Sequence, residues 1–295
     1  MGNPTIIAIG GPTASGKTDA AIQLAKKHQT DIVSFDSRQL YKELIIGVAR
    51  PTKDELSQCT HHGIACHSIK DSLSAGQFAI QYRPIVQSLL NQNGTVILVG
   101  GTGMYLQHLL YDFDELPDID ISLRETINEW HHSEGLSFLV KKLLEIDPQA
   151  SARIDTNNPA RVKRSLELCL STKKPLHEIH QGVKNLAFPD VNIQIVGIAM
   201  EREDLYHRIN QRVDQMFIDG LLQEVEQLVD VSNLPVLKTV GYTELFDYLH
   251  GGITLELAID KIKQHTRNYA KRQITYFNRQ FATNWLKKET LIDNY

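Results

Sequence analysis

The chain has 295 residues, 42% hydrophobic and 22% charged, with a formal net charge of -4, which is the composition of an ordinary globular protein long enough for a full α/β core and a smaller second unit. It has no apolar run of the roughly 20 residues that a membrane helix needs and no signal-peptide layout at its start. Three cysteines (Cys59, Cys66 and Cys169) build no disulfide framework, so the cytoplasm is the expected compartment.

Residues 5–18 read TIIAIGGPTASGKT. An apolar run predicts a buried strand, and Gly11-Pro-Thr-Ala-Ser-Gly16-Lys17-Thr18 then satisfies G-x-x-x-x-G-K-[ST]. The glycines let backbone N–H groups converge on an anion. A helix starting near Gly16 adds its positive end, and Lys17 adds a point charge. The Thr18 hydroxyl suits a magnesium ion bridging two phosphates. A Gly-rich turn without a ligand is the plainer alternative, but the strand before and the helix-forming DAAIQLAKKHQ after are the context that a phosphate cradle requires.

In DIVSFDSRQLYK, Ile32, Val33 and Phe35 predict a short strand ending at Asp36. Strand C-termini face the ligand crevice of an open parallel sheet, so Asp36 would emerge beside the phosphate loop. Alternatively Asp36 or Ser37 caps a following helix. Residues 50–77 mix turn residues with His61, His62, His67, Cys59 and Cys66. That spacing is poor for zinc, and a substrate-contacting loop before a helix from Ala75 to Gln92 is the better reading. Val96 to Val99 predicts a buried strand, followed by a second Gly-rich turn, Gly100 to Gly103, in which Thr102 offers a hydroxyl.

From about 118 to 189 the pattern is helical throughout, an insertion in the α/β order. Asn158-Pro159 opens a helix whose Arg161 and Arg164 share a face, as a paired phosphate contact or as a solvated surface. Residues 191–200 return to the sheet. Arg208 and Arg212 then project together, suited to a diphosphate or to a neighbouring carboxylate. Residues 261–288 hold eight Lys or Arg and no Asp or Glu. There Tyr269, Tyr276 and Phe277 interleave with Arg267, Lys271, Arg272 and Arg279. This suits an RNA backbone with an unstacked base, or a core face with cations turned to solvent.

Together these segments resemble the bacterial tRNA dimethylallyltransferase family over nearly the whole chain. The resemblance rests on GPTASGKT (11–18), DSRQLY (36–41), GGTGMY (100–105), LPDIDISLR ending at Arg124, NNPARVKRSLE (157–167), RINQRVDQM (208–216), GLLQEV (220–225), VGYTELFDYLHG and TRNYAKRQITYF. It implies an α/β fold, a P-loop NTPase-like parallel-sheet core (1–117 and 191–295) with a helical insertion domain (118–190). It also implies transfer of a dimethylallyl group to N6 of adenosine 37, beside the anticodon of tRNAs reading codons that start with U. Gly11, Thr13, Ala14, Ser15, Gly16, Lys17 and Thr18 would then hold the diphosphate of dimethylallyl diphosphate, with Arg212 clamping it and Mg2+ at Thr18. Asp36 would be the general base, with Thr102 beside it. The tRNA anticodon stem-loop would meet Asp36, Ser37, Arg38, Gln39, Arg124, Ala160, Arg161, Val162, Lys163, Arg164, Arg272, Arg279 and the stretch between the last two. The implied species is a cytoplasmic monomer. Two departures stand out: Thr243 where the family often has a basic residue, and an altered 50–67 segment. A kinase using ATP at the same loop, or an RNA-binding NTPase, accounts for the loop but leaves other segments without a task.

Overall fold

The structure, a computed structural model, describes residues 3–113, 116–179 and 185–295. The chain divides into two compact units, Met1–Tyr111 with Ala187–Tyr295, and Asp112–Leu186. In the first unit six strands form one sheet: β1 (Thr5–Gly10), β2 (Ile32–Ser34), β3 (His61–His62), β4 (Thr95–Val99), β5 (Asn192–Ile198) and β6 (Asn284–Leu286). Their order is β3-β2-β4-β1-β5-β6 and every pairing is parallel. A parallel sheet is covered on both faces, which is why β1 reads as continuous apolar sequence. Side chains alternate along it: Ile6 and Ala8 enter one core layer, Ile7 and Ile9 the other. Four helices belong to the first half: α1 (Lys17–His28), α2 (Lys53–Ser57), α3 (Ala75–Asn93) and α4 (Gly103–Leu110). β2 stops at Ser34, two residues before the expected Asp36, although Phe35 N still bonds Val99 O.

The second unit is helical among its described residues, with α5 (Ile121–Ile146), α6 (Ala150–Arg153), α7 (Pro159–Thr172) and α8 (Leu176–Ile179). The helical reading of residues 180–184 lies outside the described residues. Gly135, at φ 79°, breaks α5. Ile127, Leu139 and Leu143 on its two sides pack with Val162, Leu166 and Leu176 into a separate core. The buried Asp147 carboxylate ties this core together, accepting from Leu176 N and Gln149 N, both at 3.0 Å. Asp112 N donates to Asn185 O at 2.9 Å, so the two ends of this unit meet.

The chain returns through β5 to α9 (Arg202–Ile218), α10 (Leu221–Glu226), α11 (Tyr242–Leu249), α12 (Leu255–Gln280) and α13 (Lys288–Asn294). Gly220, at φ 99°, separates α9 from α10. α1 and Leu291 of α13 cover one sheet face; α3, α4 and Phe277 of α12 cover the other. Phe277 is fully buried, worth about 1.5–3 kcal/mol, and its ring occupies the space that a side chain at Gly10 would need. This contact lays α12 across the C-terminal ends of the strands. The edge strand β6 brings Trp285 against Gly11 and Gly197.

Candidate active site

The loop between β1 and α1 is shaped by backbone conformations that few residues tolerate. Gly11 and Gly16 have φ of 120° and 92°, and Ala14, without a β-branch, is held at 65°. Ser15 Oγ donates to Pro12 O at 2.9 Å and stiffens the turn. Lys17 opens α1, and its ammonium donates to Pro12 O. Burial, and then the neighbouring Arg212 cation, bring its pKa down to about 7, against the pull of the Asp36 carboxylate. Arg212 projects from α9 and donates to Thr13 Oγ1 at 3.2 Å. Burial and Arg208 lower its pKa in turn. Two cations forced together at the mouth of an amide-lined loop are relieved by a multivalent anion.

Asp36 lines the same cleft as Lys17, Thr18 and Arg212. Its Oδ1 accepts from Arg38 N at 2.9 Å and Gln39 N at 3.3 Å, so the carboxylate is oriented by a turn and one oxygen stays available. Residues 37–40 are turns, so the alternative in which Asp36 or Ser37 caps a following helix does not apply. Thr102 is the N-cap residue of α4, but its side chain makes no bond to the helix. Its Oγ1 accepts from Ser37 N at 3.1 Å and donates to Ser37 Oγ at 3.2 Å. Tyr269 of α12 lines the same cleft: burial first, and the Asp36 carboxylate second, raise its phenol to about 12, against the pull of the neighbouring Thr102 hydroxyl and of the Arg38 and Arg272 cations.

The cleft has a volume of about 1340 Å³, and Ile45 to Pro51, Met216 and Val240 also line it. The 45–47 backbone is clasped by Glu224 of α10, whose carboxylate accepts from Ile45 N (3.1 Å), Ile46 N (2.7 Å), Gly47 N (3.1 Å) and the Tyr242 hydroxyl (2.5 Å). Arg50 donates to the carbonyls of Tyr41, Lys42 and Leu44 and closes the loop on itself. In the altered 50–67 segment, His61 and Ile64 reach the cleft wall, while His62 pairs with Asp31 at 2.9 Å. Among the described residues no group of three His, Cys, Asp or Glu could hold a metal ion.

The residues expected to meet RNA divide by exposure. In the first unit Arg272 and Arg279 are exposed, and the Arg272 guanidinium lies 5.7 Å from the Tyr269 ring centre. Gln39 spends its amide on Val48 O and Ala49 O. Thr243 donates to Thr239 O at 3.1 Å at the cleft edge. In the second unit Ala160 and Arg161 are exposed on α7, and Lys163 donates to Asn128. Arg124 and Arg164 both reach Glu167, at 3.3 and 3.2 Å. Val162 is 0% exposed and belongs to the core, so its side chain reaches no partner. Sequence reasoning did not single out Glu224 or Gln273, and named Tyr269 only as one aromatic among cations. The amide partners of Glu224 and both partners of Gln273 are more than a hundred residues away in the chain, and no local pattern announces such a pairing.

The model of the IPP transferase family matches residues 39–280. The tRNA dimethylallyltransferase of Flavobacterium psychrophilum is 41% identical over 286 residues, which span 95% of this chain and 92% of that protein. The enzyme of the same name from Cytophaga hutchinsonii is 40% identical over 283 residues, 96% and 92% of the two chains. Among solved structures, the full-length tRNA isopentenylpyrophosphate transferase from Bacillus halodurans superposes with a TM-score of 0.72 at 34% identity, over 99% of this chain and 94% of that one. A eukaryotic dimethylallyltransferase acting on tRNA gives a TM-score of 0.74 at 25% identity, over 92% and 69%.

Proposed function

The chain belongs to the IPP transferase family, and on that premise we propose that its cleft transfers the dimethylallyl group of dimethylallyl diphosphate to N6 of adenosine 37 in tRNAs reading codons that start with U. The observation that carries this reading is the placement of Asp36 on one cleft with Lys17 and Arg212. A phosphate loop alone serves a kinase equally well. A carboxylate facing the loop, joined by a Thr102–Ser37–Tyr269 edge and a basic α12, provides for a second substrate that brings a proton to lose.

The chemistry is alkyl transfer. The N6 lone pair is delocalised into the adenine ring, so the amine attacks well only if its proton is taken as the N–C bond forms; Asp36 accepts it. The allylic C–O bond breaks and its electrons leave on the diphosphate. The loop N–H groups, Lys17 and Arg212 meet that charge. The adenine must leave its stack to reach the cleft, and the Tyr269–Arg272 pair offers a flat, cationic surface for it.

The Thr18 hydroxyl, at the cleft, is an oxygen donor that suits a hard divalent cation such as Mg2+ and would help to hold it beside the diphosphate. When bound, the cation neutralises charge on the leaving group. The anticodon stem-loop is assigned to Ser37, Arg38, Arg272 and Arg279 in the first unit and to Arg124, Ala160, Arg161, Lys163 and Arg164 in the second. We read the working species as a cytoplasmic monomer; among the described residues no helix is long and apolar enough to cross a membrane.

The test is incubation with tRNA, labelled dimethylallyl diphosphate and Mg2+. Label is expected in tRNA carrying adenosine at position 37 and absent when guanosine replaces it. Phosphoryl transfer from ATP to a small acceptor, without label in tRNA, would favour a kinase. Nucleotide hydrolysis stimulated by RNA would favour an NTPase.

A further inference from the structure

Gln273 lies in the basic stretch of α12, between the exposed Arg272 and Arg279, yet it is only 5% exposed. Its carboxamide points inward with both ends engaged. Oε1 accepts from Thr13 N at 2.9 Å, and Nε2 donates to Gly101 O at 2.9 Å. These backbones belong to opposite edges of the site. Thr13 carries the hydroxyl that receives Arg212. Gly101 precedes Thr102, whose hydroxyl holds Ser37 beside Asp36. A side chain at Gly101 would collide with Gln273 Nε2, which explains glycine there by close approach. A carboxamide places a donor and an acceptor side by side on one planar, uncharged group, and losing it strands a buried N–H and a buried C=O.

We propose that Gln273 is a positioning residue that sets the spacing between the diphosphate cradle and the amine-accepting edge, so that amine attack and diphosphate departure are aligned. The proposal deepens the transfer reading above and rests on it. Alignment matters because reacting atoms must sit about 3–3.5 Å apart, and a 1 Å error costs about 10²-fold. If the two loops drift, the cradle still activates the allylic carbon but the amine is out of line. Water then takes its place: the C–O bond breaks with its electrons on diphosphate, a water oxygen bonds to the carbon and loses a proton, and dimethylallyl alcohol forms. The signature of lost positioning is therefore uncoupling, with diphosphate released without label in tRNA.

The experiment counts both products from one sample. Gln273→Met keeps reach and burial without the polar ends; Gln273→Asn keeps the polar ends and shortens the reach. In both, kcat for transfer is expected to fall about 10- to 100-fold, with KM for dimethylallyl diphosphate and for tRNA within about threefold of wild type. The ratio of diphosphate released to label transferred should rise clearly above one. A purely structural role would lower the melting temperature and both product rates together, leaving the ratio at one, and that result overturns the proposal, as does a loss confined to KM. Wild-type protein in the same assay separates the two levels. If it transfers no label to tRNA, the transfer reading itself fails; if it does and the variants stay coupled, only the positioning role falls.

Discussion

At Lys17, burial and anion binding pull in opposite directions, and the pH dependence follows from that tension. With its pKa brought down to about 7 by burial and Arg212, the ammonium loses its charge in the ligand-free protein as pH rises past neutrality. Bound diphosphate favours the charged form and raises the pKa. Binding between the two values therefore takes up a proton, and affinity falls as pH climbs through 7, by at most about tenfold per unit. Calorimetry at pH 8 in buffers of different ionisation enthalpy should register that uptake, and Lys17→Met should abolish it while weakening binding. Asp36 yields a cleaner test than removal of its side chain, because Oδ1 also holds Arg38 N and Gln39 N. Asp36→Asn keeps an acceptor for that turn and deletes the base. Turnover should fall about 10²-fold or more with tRNA affinity little changed; weak tRNA binding with normal single-turnover chemistry would remove Asp36 from the role of base.

Between elements, the site depends on side chains that bind backbone across long sequence separations. Glu224 carries four hydrogen bonds from three adjacent amides and Tyr242, and so fixes the cleft wall at Ile45, Ile46 and Gly47. Glu224→Ala leaves those amides without their acceptor. Hydrogen exchange at the three amides should accelerate by about 10²-fold while those of β1 and β4 stay protected, and unchanged exchange would mean that Glu224 does not hold the wall. This layer of the site was the least legible in the sequence. Buried strands β1 and β4, the phosphate loop and α1 are announced by local pattern and by glycines at obligatory turns. β3 and β6, of two and three residues, are too short to show a period, and their pairing is imposed by the neighbouring strands. Gln273 looked like one more polar residue of a basic helix; its burial follows from how Phe277 seats α12 on Gly10, a tertiary fact with no local trace.

At the scale of the whole molecule, the chain order β–α–β–α, then helices, then β again was readable as a parallel sheet interrupted by an insertion, because periodicity changes where the insertion begins. Its assignment to RNA came from resemblance, since Arg161 and Arg164 on one helix face are equally compatible with solvation. On that helix Arg161 is exposed, Arg164 is tied to Glu167, and Val162 is core. The structure makes the insertion separable. The second unit has its own core, and within the first unit Ala187 N donates to Leu110 O at 2.9 Å, so the two ends of the core are already adjacent. A short Gly-Ser linker in place of residues 112–186 is short enough to span such a gap at small loop-closure cost. The shortened protein should unfold cooperatively and bind dimethylallyl diphosphate with Mg2+ within about threefold of the full chain, because every residue assigned to the diphosphate lies in the first unit. Label transfer to tRNA should fall at least about 10²-fold, mostly through tRNA affinity, as phosphate contacts supply much of RNA binding. If diphosphate binding disappears along with transfer, in a protein that still unfolds cooperatively, then the insertion shapes the phosphate site as well, and the division of labour between the two units is refuted.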